Sequence, residues 1–156
     1  MRKILTLALA INGNKILLGM KKRGFGVNRW NGFGGKVEHG ETITQGAKRE
    51  IFEECEIKAN KLQKRGILTF IFEGEEKELE VHIYIIKKFS GTPTETEEMK
   101  PKWFANNKIP FKDMWPDDEI WLPYFLAGKK FVGTIYFKDQ NTIKTHDIHE
   151  VKKLWI

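Results

Sequence analysis

Four carboxylates, Glu50, Glu53, Glu54 and Glu56, crowd into seven positions of this chain. Glu50, Glu53 and Glu54 are spaced i, i+3 and i+4, so on a helix they share one face. Like charges stacked this way repel, and stability alone does not favour them. A cation is expected between them, and hard carboxylate oxygens suit Mg²⁺ or Mn²⁺. A charge run more commonly forms a solvated helix face, but two neighbours argue for a site. Gly34-Gly35 stands just upstream, where backbone must approach something closely. Arg49 adjoins the acids and can hold a carboxylate in a bidentate grip. The stretch from Gly35 to Ile57 is therefore the part that the rest of the fold must present.

The pattern around it predicts alternating strands and two helices. Lys3–Ile11 and Lys15–Gly19 read as a hairpin joined through Asn12-Gly13. A helix is expected from Thr42 to Cys55, capped by Thr42 or Glu41, with Ile43, Ala47, Ile51 and Phe52 facing inward. A strand follows within 57–72, a polar turn at Glu73–Lys77, and an alternating strand at Leu79–Ile86 in which His82 is structural. A short strand is expected at Lys102–Phe104. A second helix covers Glu119–Ala127, irregular at its start because of Pro123 and ended by Gly128. Phe131–Phe137 and Thr142–Ile148 form a last hairpin. With no linker, repeat or low-complexity tract, residues 1–156 read as one α+β domain.

The 156 residues are enough for one domain with a real core. The net charge of +6 permits polyanionic partners, nucleic acid and nucleotide alike. One cysteine, Cys55, rules out an internal disulfide and fits a reducing compartment. Met1-Arg2-Lys3 before the apolar Ile4–Ile11 loosely imitates a secretory signal, but the run is short and continues into a second apolar segment. No apolar run is long enough to span a membrane.

A second informative stretch is Trp115-Pro116-Asp117-Asp118. Taken with Phe25, Asn31, Phe70 and Trp121, it has what a purine pocket needs: flat rings for stacking and polar groups to read an edge. The plainer alternative is that the aromatics fill the core and the Asp pair caps a helix. Two carboxyls facing one pocket should titrate as a coupled pair, with one pKa raised. Glu95, Glu97 and Glu98 read as a charged loop, and Met20–Gly26 as a basic, glycine-bearing loop able to present cations to phosphates.

The spacing from Gly35 through Glu41, Arg49, Glu50, Ile51, Glu53 and Glu54 to Ile57 resembles the Nudix box. Glu56 stands where that family has glycine, and as a left-handed helix cap it costs ~1 kcal/mol. The resemblance extends over nearly the whole chain to the branch of animal MutT homologues that hydrolyses oxidised purine nucleoside triphosphates. Its closest blocks are 19–26, 29–37 and 109–118. The resemblance implies a mixed sheet sandwiched between helices (an α/β/α sandwich) and hydrolysis of 8-oxo-dGTP, 2-hydroxy-dATP and related nucleotides to monophosphate and pyrophosphate. Glu50, Glu53, Glu54 and Arg49 would carry the chemistry. Mg²⁺, or Mn²⁺, would sit on Glu50, Glu53, Glu54, Glu98 and the Gly34 carbonyl. Thr6, Lys21, Phe25, Asn31, Phe33, Gly34, Gly35, Lys36, Phe70, Leu79, Trp115, Pro116, Asp117, Asp118 and Trp121 would bind the nucleotide. The expected partner is that small-molecule nucleotide alone, with no stable nucleic acid and no membrane. A cytoplasmic monomer is implied, with mitochondrial or nuclear pools also open to it. The rival readings are a Nudix enzyme for methylated purine or other nucleotides, and a catalytically silent nucleic-acid-binding module.

Overall fold

The computed structural model describes residues 2–155, so the ends of the expected domain, Met1 and Ile156, lie outside the described residues. Ten elements follow one another: β1 (Arg2–Asn12), β2 (Lys15–Lys21), β3 (Trp30–Asn31), α1 (Ile43–Cys55), β4 (Lys58–Phe72), β5 (Glu78–Ser90), β6 (Met99–Ala105), α2 (Asp118–Leu126), β7 (Lys130–Asp139) and β8 (Thr142–Val151). A 3₁₀ turn at Phe111–Asp113 precedes α2. The strands form an eight-stranded sheet in the order β3-β2-β1-β5-β4-β7-β8, with β6 on the other edge of β2. The β1–β5 and β4–β7 pairs are parallel, and the remaining pairs are antiparallel.

Side chains alternate across the sheet because successive Cβ atoms point to opposite faces. On one face Ala8, Ala10, Leu17, Tyr84 and Ile86 meet Ala47, Ile51 and Cys55 of α1. On the other, Leu9, Ile16, Leu18, Ile83, Ile85 and Phe131 meet Trp121, Leu122 and Phe125 of α2. The result is the expected sandwich of helices about a mixed sheet. Cys55 is fully buried, and burial pushes its thiol pKa up to about 12.

Both ends of α1 are closed as its sequence predicts. The Thr42 hydroxyl accepts from the Gln45 N–H at 3.1 Å, and the Gln45 side chain accepts from the Thr42 N–H at 2.8 Å. Glu56 takes the left-handed cap position with φ 62° and donates its N–H to the Phe52 carbonyl. Phe52 departs from expectation: its side chain is 56% exposed, because the buried stripe runs through Ala47, Ile51 and Cys55. The first hairpin also differs by one residue. Asn12 pairs with Lys15, so Gly13-Asn14 is the turn, and Gly13 supplies the positive φ of 61°. Pro123 lies mid-way along α2 and does not stop it. The proline withholds only the N–H that would have reached Glu119 in the first turn, and Ala127 still donates to Pro123.

A split in the sheet places the site. β1 and β2 pair over only three residue pairs and then diverge. The chain after β3 enters the gap: Phe33 exchanges backbone hydrogen bonds with Ala8, and Thr6 donates to the Gly35 carbonyl. Gly34 is obligatory in this wedge, since a Cβ there would lie 1.8 Å from the Thr6 carbonyl oxygen. The wedge delivers Gly34 and Gly35 to the acidic face of α1.

Candidate active site

Glu50, Glu53, Glu54 and Glu56 line one large cavity with Gly34, Gly35, Lys36, Lys21 and the loop bearing Glu95, Glu97 and Glu98. The carboxylates are not left to repel freely. Arg49 grips Glu41 through two bonds, Nε to Oε2 at 3.1 Å and Nη2 to Oε1 at 2.8 Å. The same guanidinium donates to both oxygens of Glu53 at 3.2 Å and to the Lys36 carbonyl. This fixes the entry loop, the helix and one acid of the site to one planar group, whose own pKa is raised, chiefly by the Glu41 bond.

Glu54 is the most enclosed acid of this cavity. Oε1 accepts the Gly34 N–H at 2.8 Å, and Lys21 Nζ stands 3.7 Å from Oε2. Burial nonetheless pushes its pKa up to about 8. Burial also raises Glu50, whose carboxylate lies so close to Gly35 that a Cβ there would be 2.5 Å from Oε2. Glu98 faces the same cavity, but Arg23 at 2.6 Å and Lys21 at 3.3 Å engage it and lower its pKa, Arg23 first. Among the described residues, no three of these carboxylates form a closed ligand cage, because Arg49 and Lys21 lie against them. The donor set fits a hard divalent cation. Mutually repelling carboxylate oxygens, with Glu54 buried and Glu50 half-buried beside a glycine backbone, have more to gain from one than from further lysines.

A second cavity, of about 250 Å³, adjoins the first and shares Lys21, Gly34, Gly35 and Glu54 with it. Its walls include Thr6, Phe25, Asn31, Phe70, Leu79, Trp115, Asp117 and Asp118. Asp117 and Asp118 are each only 2% exposed. Trp121 Nε1 donates to Asp117 Oδ2 at 2.8 Å, while Asp117 Oδ1 and Asp118 Oδ2 have no protein partner. Asp117 makes no side-chain cap to α2, so simple helix capping does not explain the pair. Burial raises both pKa values, and for Asp118 the neighbouring Asp117 charge raises it further. Two unpaired buried carboxyl oxygens on a cavity wall are costly unless something polar completes them.

Three expected nucleotide-binding side chains lie off both walls. Phe33 is fully buried in the core under α1, because its strand alternation turns it away from the gap. Trp121 is 1% exposed and stands behind Asp117, supporting it. Pro116 lines neither cavity. Lys36 reaches the carboxylate cavity only. Sequence reading missed Leu5, Leu7, Phe72, Val81 and Met99 as lining residues of the second cavity. Each sits in an ordinary strand pattern, and nothing local separates a cavity wall from core. His82, buried and bonded to Glu80 at 2.7 Å, lines neither cavity.

This fold and acidic helix define a class, and the NUDIX domain model matches residues 1–125. The chain belongs to the Nudix family and is a Nudix hydrolase, a class of enzyme that generally uses divalent metal ions. Among its relatives is the oxidized purine nucleoside triphosphate hydrolase of Mus musculus, 50% identical over 149 residues and covering 96% of each chain. The protein of the same description from Danio rerio is 47% identical over 152 residues, covering 97% of each. In fold the chain is similar to a MutT protein from Bacillus halodurans, with a TM-score of 0.83 at 22% identity, covering 94% of this chain and 97% of that one. No helix among the described residues is long and apolar enough to cross a membrane.

Proposed function

We propose that this protein hydrolyses oxidised purine nucleoside triphosphates, 8-oxo-dGTP and 2-hydroxy-dATP among them, to the monophosphate and pyrophosphate, and so removes mutagenic precursors from the nucleotide pool. The observation that carries this reading is the joining of the two cavities. A polar-edged aromatic pocket opens through Lys21, Gly34, Gly35 and Glu54 onto the carboxylates of the Nudix box. A purine in the aromatic pocket would lay its phosphates in the carboxylate cavity. The names of the two relatives support the same substrate class.

Mg²⁺ is the proposed ion, with Mn²⁺ an alternative, held by Glu50, Glu53, Glu54, Glu98 and the Gly34 carbonyl. When bound, such an ion neutralises phosphate oxygens and acidifies a water. The chain's own residues do the rest. Glu53 or Glu50 takes the proton of the attacking water, and Arg49 holds Glu53 in reach through its Glu41 anchor. Gly34 N–H orients Glu54, and Lys21 presents its ammonium to the phosphate path. In the base pocket Trp115 stacks, and Asn31, Asp117 and Asp118 read the edge. A protonated Asp donates to a base acceptor and an ionised one accepts from a base N–H, so moving the proton between the pair would suit both oxidised guanine and oxidised adenine. We take residues 1–156 as one catalytic domain, acting as a monomer in the cytoplasm, with mitochondrial and nuclear pools also within its scope.

The test is turnover of 8-oxo-dGTP beside dGTP, with Mg²⁺ and with chelator, and the products identified. Metal-dependent release of pyrophosphate favouring the oxidised base is expected. Equal turnover of the two would keep the hydrolysis and remove this account of the base pocket.

A further inference from the structure

Arg29 belongs to neither cavity wall, yet it touches the pocket from behind. It follows Asn28, whose left-handed φ of 67° turns the chain back after the 22–27 loop. Its backbone is then secured, since its carbonyl accepts from Lys21 N–H at 3.0 Å and its N–H donates to Gly26 at 3.2 Å. From that anchored position the guanidinium lies over the Trp115 ring, with Cζ 4.4 Å from the centroid. It also donates to the Gln140 carbonyl at 2.9 Å and to Asn141 Oδ1 at 2.5 Å. Gln140 and Asn141 are the turn between β7 and β8, and the Asn141 N–H is itself tied to Asp139. One side chain thus bolts together the loop after β2, the Trp115 segment and the tip of the last hairpin. Arg29's charge also opposes the rise of both the Asp117 and Asp118 pKa values.

We propose that Arg29 is a positioning residue for base selection: clamped by the β7–β8 turn, it fixes the plane of Trp115. The inference rests on the base-pocket reading above. A planar guanidinium suits this role because it stacks on an aromatic face while its in-plane N–H groups remain free to bond two acceptors. Lysine offers the charge without the fork. Trp115 is held on its inner side by the core, where it packs with Phe72, Ile135 and Phe137, and what Arg29 adds is a restraint on the ring face. Phe25 meets it tilted at 37° and is itself 58% exposed, so that ring is a weak brace. Phe137 touches it edge-on at 6.2 Å. Without Arg29 the indole would sample other tilts, and a pocket that discriminates one purine edge from another would lose definition before the phosphate chemistry suffered.

The test is a double-mutant cycle on Arg29→Met and Asn141→Ala, read as kcat/KM for 8-oxo-dGTP and for dGTP, with Arg29→Lys alongside. Arg29→Met should lower the oxidised-to-ordinary ratio about tenfold, mostly through KM. Asn141, which lines neither cavity, should lower it about threefold when cut to alanine, and the double variant should be no worse than Arg29→Met alone. Arg29→Lys should recover part of the ratio. Additive losses in the double variant, or equal losses on both substrates carried by kcat, would overturn the clamp. If Arg29→Met does not fold, the ratios of Asn141→Ala and Arg29→Lys decide: both equal to the unaltered protein would also overturn it. An unaltered protein without preference for the oxidised base defeats the base-pocket reading, whereas preference that survives Arg29→Met defeats only this inference.

Discussion

The two cavities are built in opposite ways. The carboxylate cavity draws its central acids from one helix, with Glu98 added from the loop before β6, and Arg49 of that same helix holds Glu53. Glu50, Glu53 and Glu54 lie within five residues, and Arg49 adjoins them. The base cavity gathers Thr6, Asn31, Phe70, Leu79 and the Trp115–Asp118 segment from five separate stretches of the chain. The first offsets its charge with the Arg49, Lys21 and Arg23 side chains along its wall. The second buries two carboxyls with no basic side chain bonded to either. On the proposed reading, bond breaking is local and electrostatic, while selection of the base is distributed and depends on packing.

That contrast can be broken most forcefully at the helix. Glu53→Gln should cut kcat by ~10²–10⁴, measured on oxidised and ordinary substrates together. The ratio between the two substrates should stay the same, and a ratio that moved with kcat would mean the cavities are not separable. Asp118→Asn should do the converse, changing the ratio of 8-oxo-dGTP to 2-hydroxy-dATP turnover by about tenfold, the scale of one buried hydrogen bond. A uniform fall on both substrates would count against proton placement as the selector.

A smaller effect is expected in stability against pH. Both aspartates have folded pKa values raised by burial above the ordinary 3.8. The unfolded chain therefore loses these protons first as pH rises. Their contribution is fully present below the unfolded pKa and is lost as pH climbs through the folded values. Each unit of such a rise costs about 1.4 kcal/mol at higher pH. Thermal melts of the ligand-free protein from pH 4 upward should show this decline, and the doubly substituted Asp117→Asn, Asp118→Asn protein should show a flatter profile. The smallest change is expected at Glu56. Replacing it with glycine relieves a left-handed φ of 62° and should stabilise the fold by ~1 kcal/mol in denaturant titration. No gain would mean that other contacts of Glu56 offset the strain.

The same difference explains what could be read before any coordinates. The spacing of Glu50, Glu53 and Glu54 follows from helical periodicity and the Thr42 cap from residue type, so a linear reading reaches them, while the left-handed site at Glu56 is reached through the resemblance to the Nudix box. Strand order is less visible. That β1 lies parallel beside β5 follows from pairings some 76 residues apart, Arg2 with Glu78 and onward. The base cavity was legible only where its residues are chemically unusual. Asp117-Asp118 and Trp115 stood out, whereas Leu5, Leu7 and Val81 looked like any apolar strand positions. Trp121, expected on a pocket wall, stands behind Asp117 instead, since an indole that lines a cavity and one that holds a carboxylate from behind read alike in one dimension. Glu41 as the anchor of Arg49 required knowing that the loop before α1 folds back upon it.

Cys55 is the only cysteine of the chain, and it ends α1 on the buried face of that helix, with no exposure and a pKa pushed up to about 12. The thiolate is the form that peroxides attack. At neutral pH almost none exists here, and none is within reach of solvent. Peroxide therefore finds no sulfhydryl to convert, two molecules have none to crosslink, and a rise in cellular oxidant leaves this protein's thiol chemistry untouched while the same rise multiplies the damaged nucleotides it is proposed to clear.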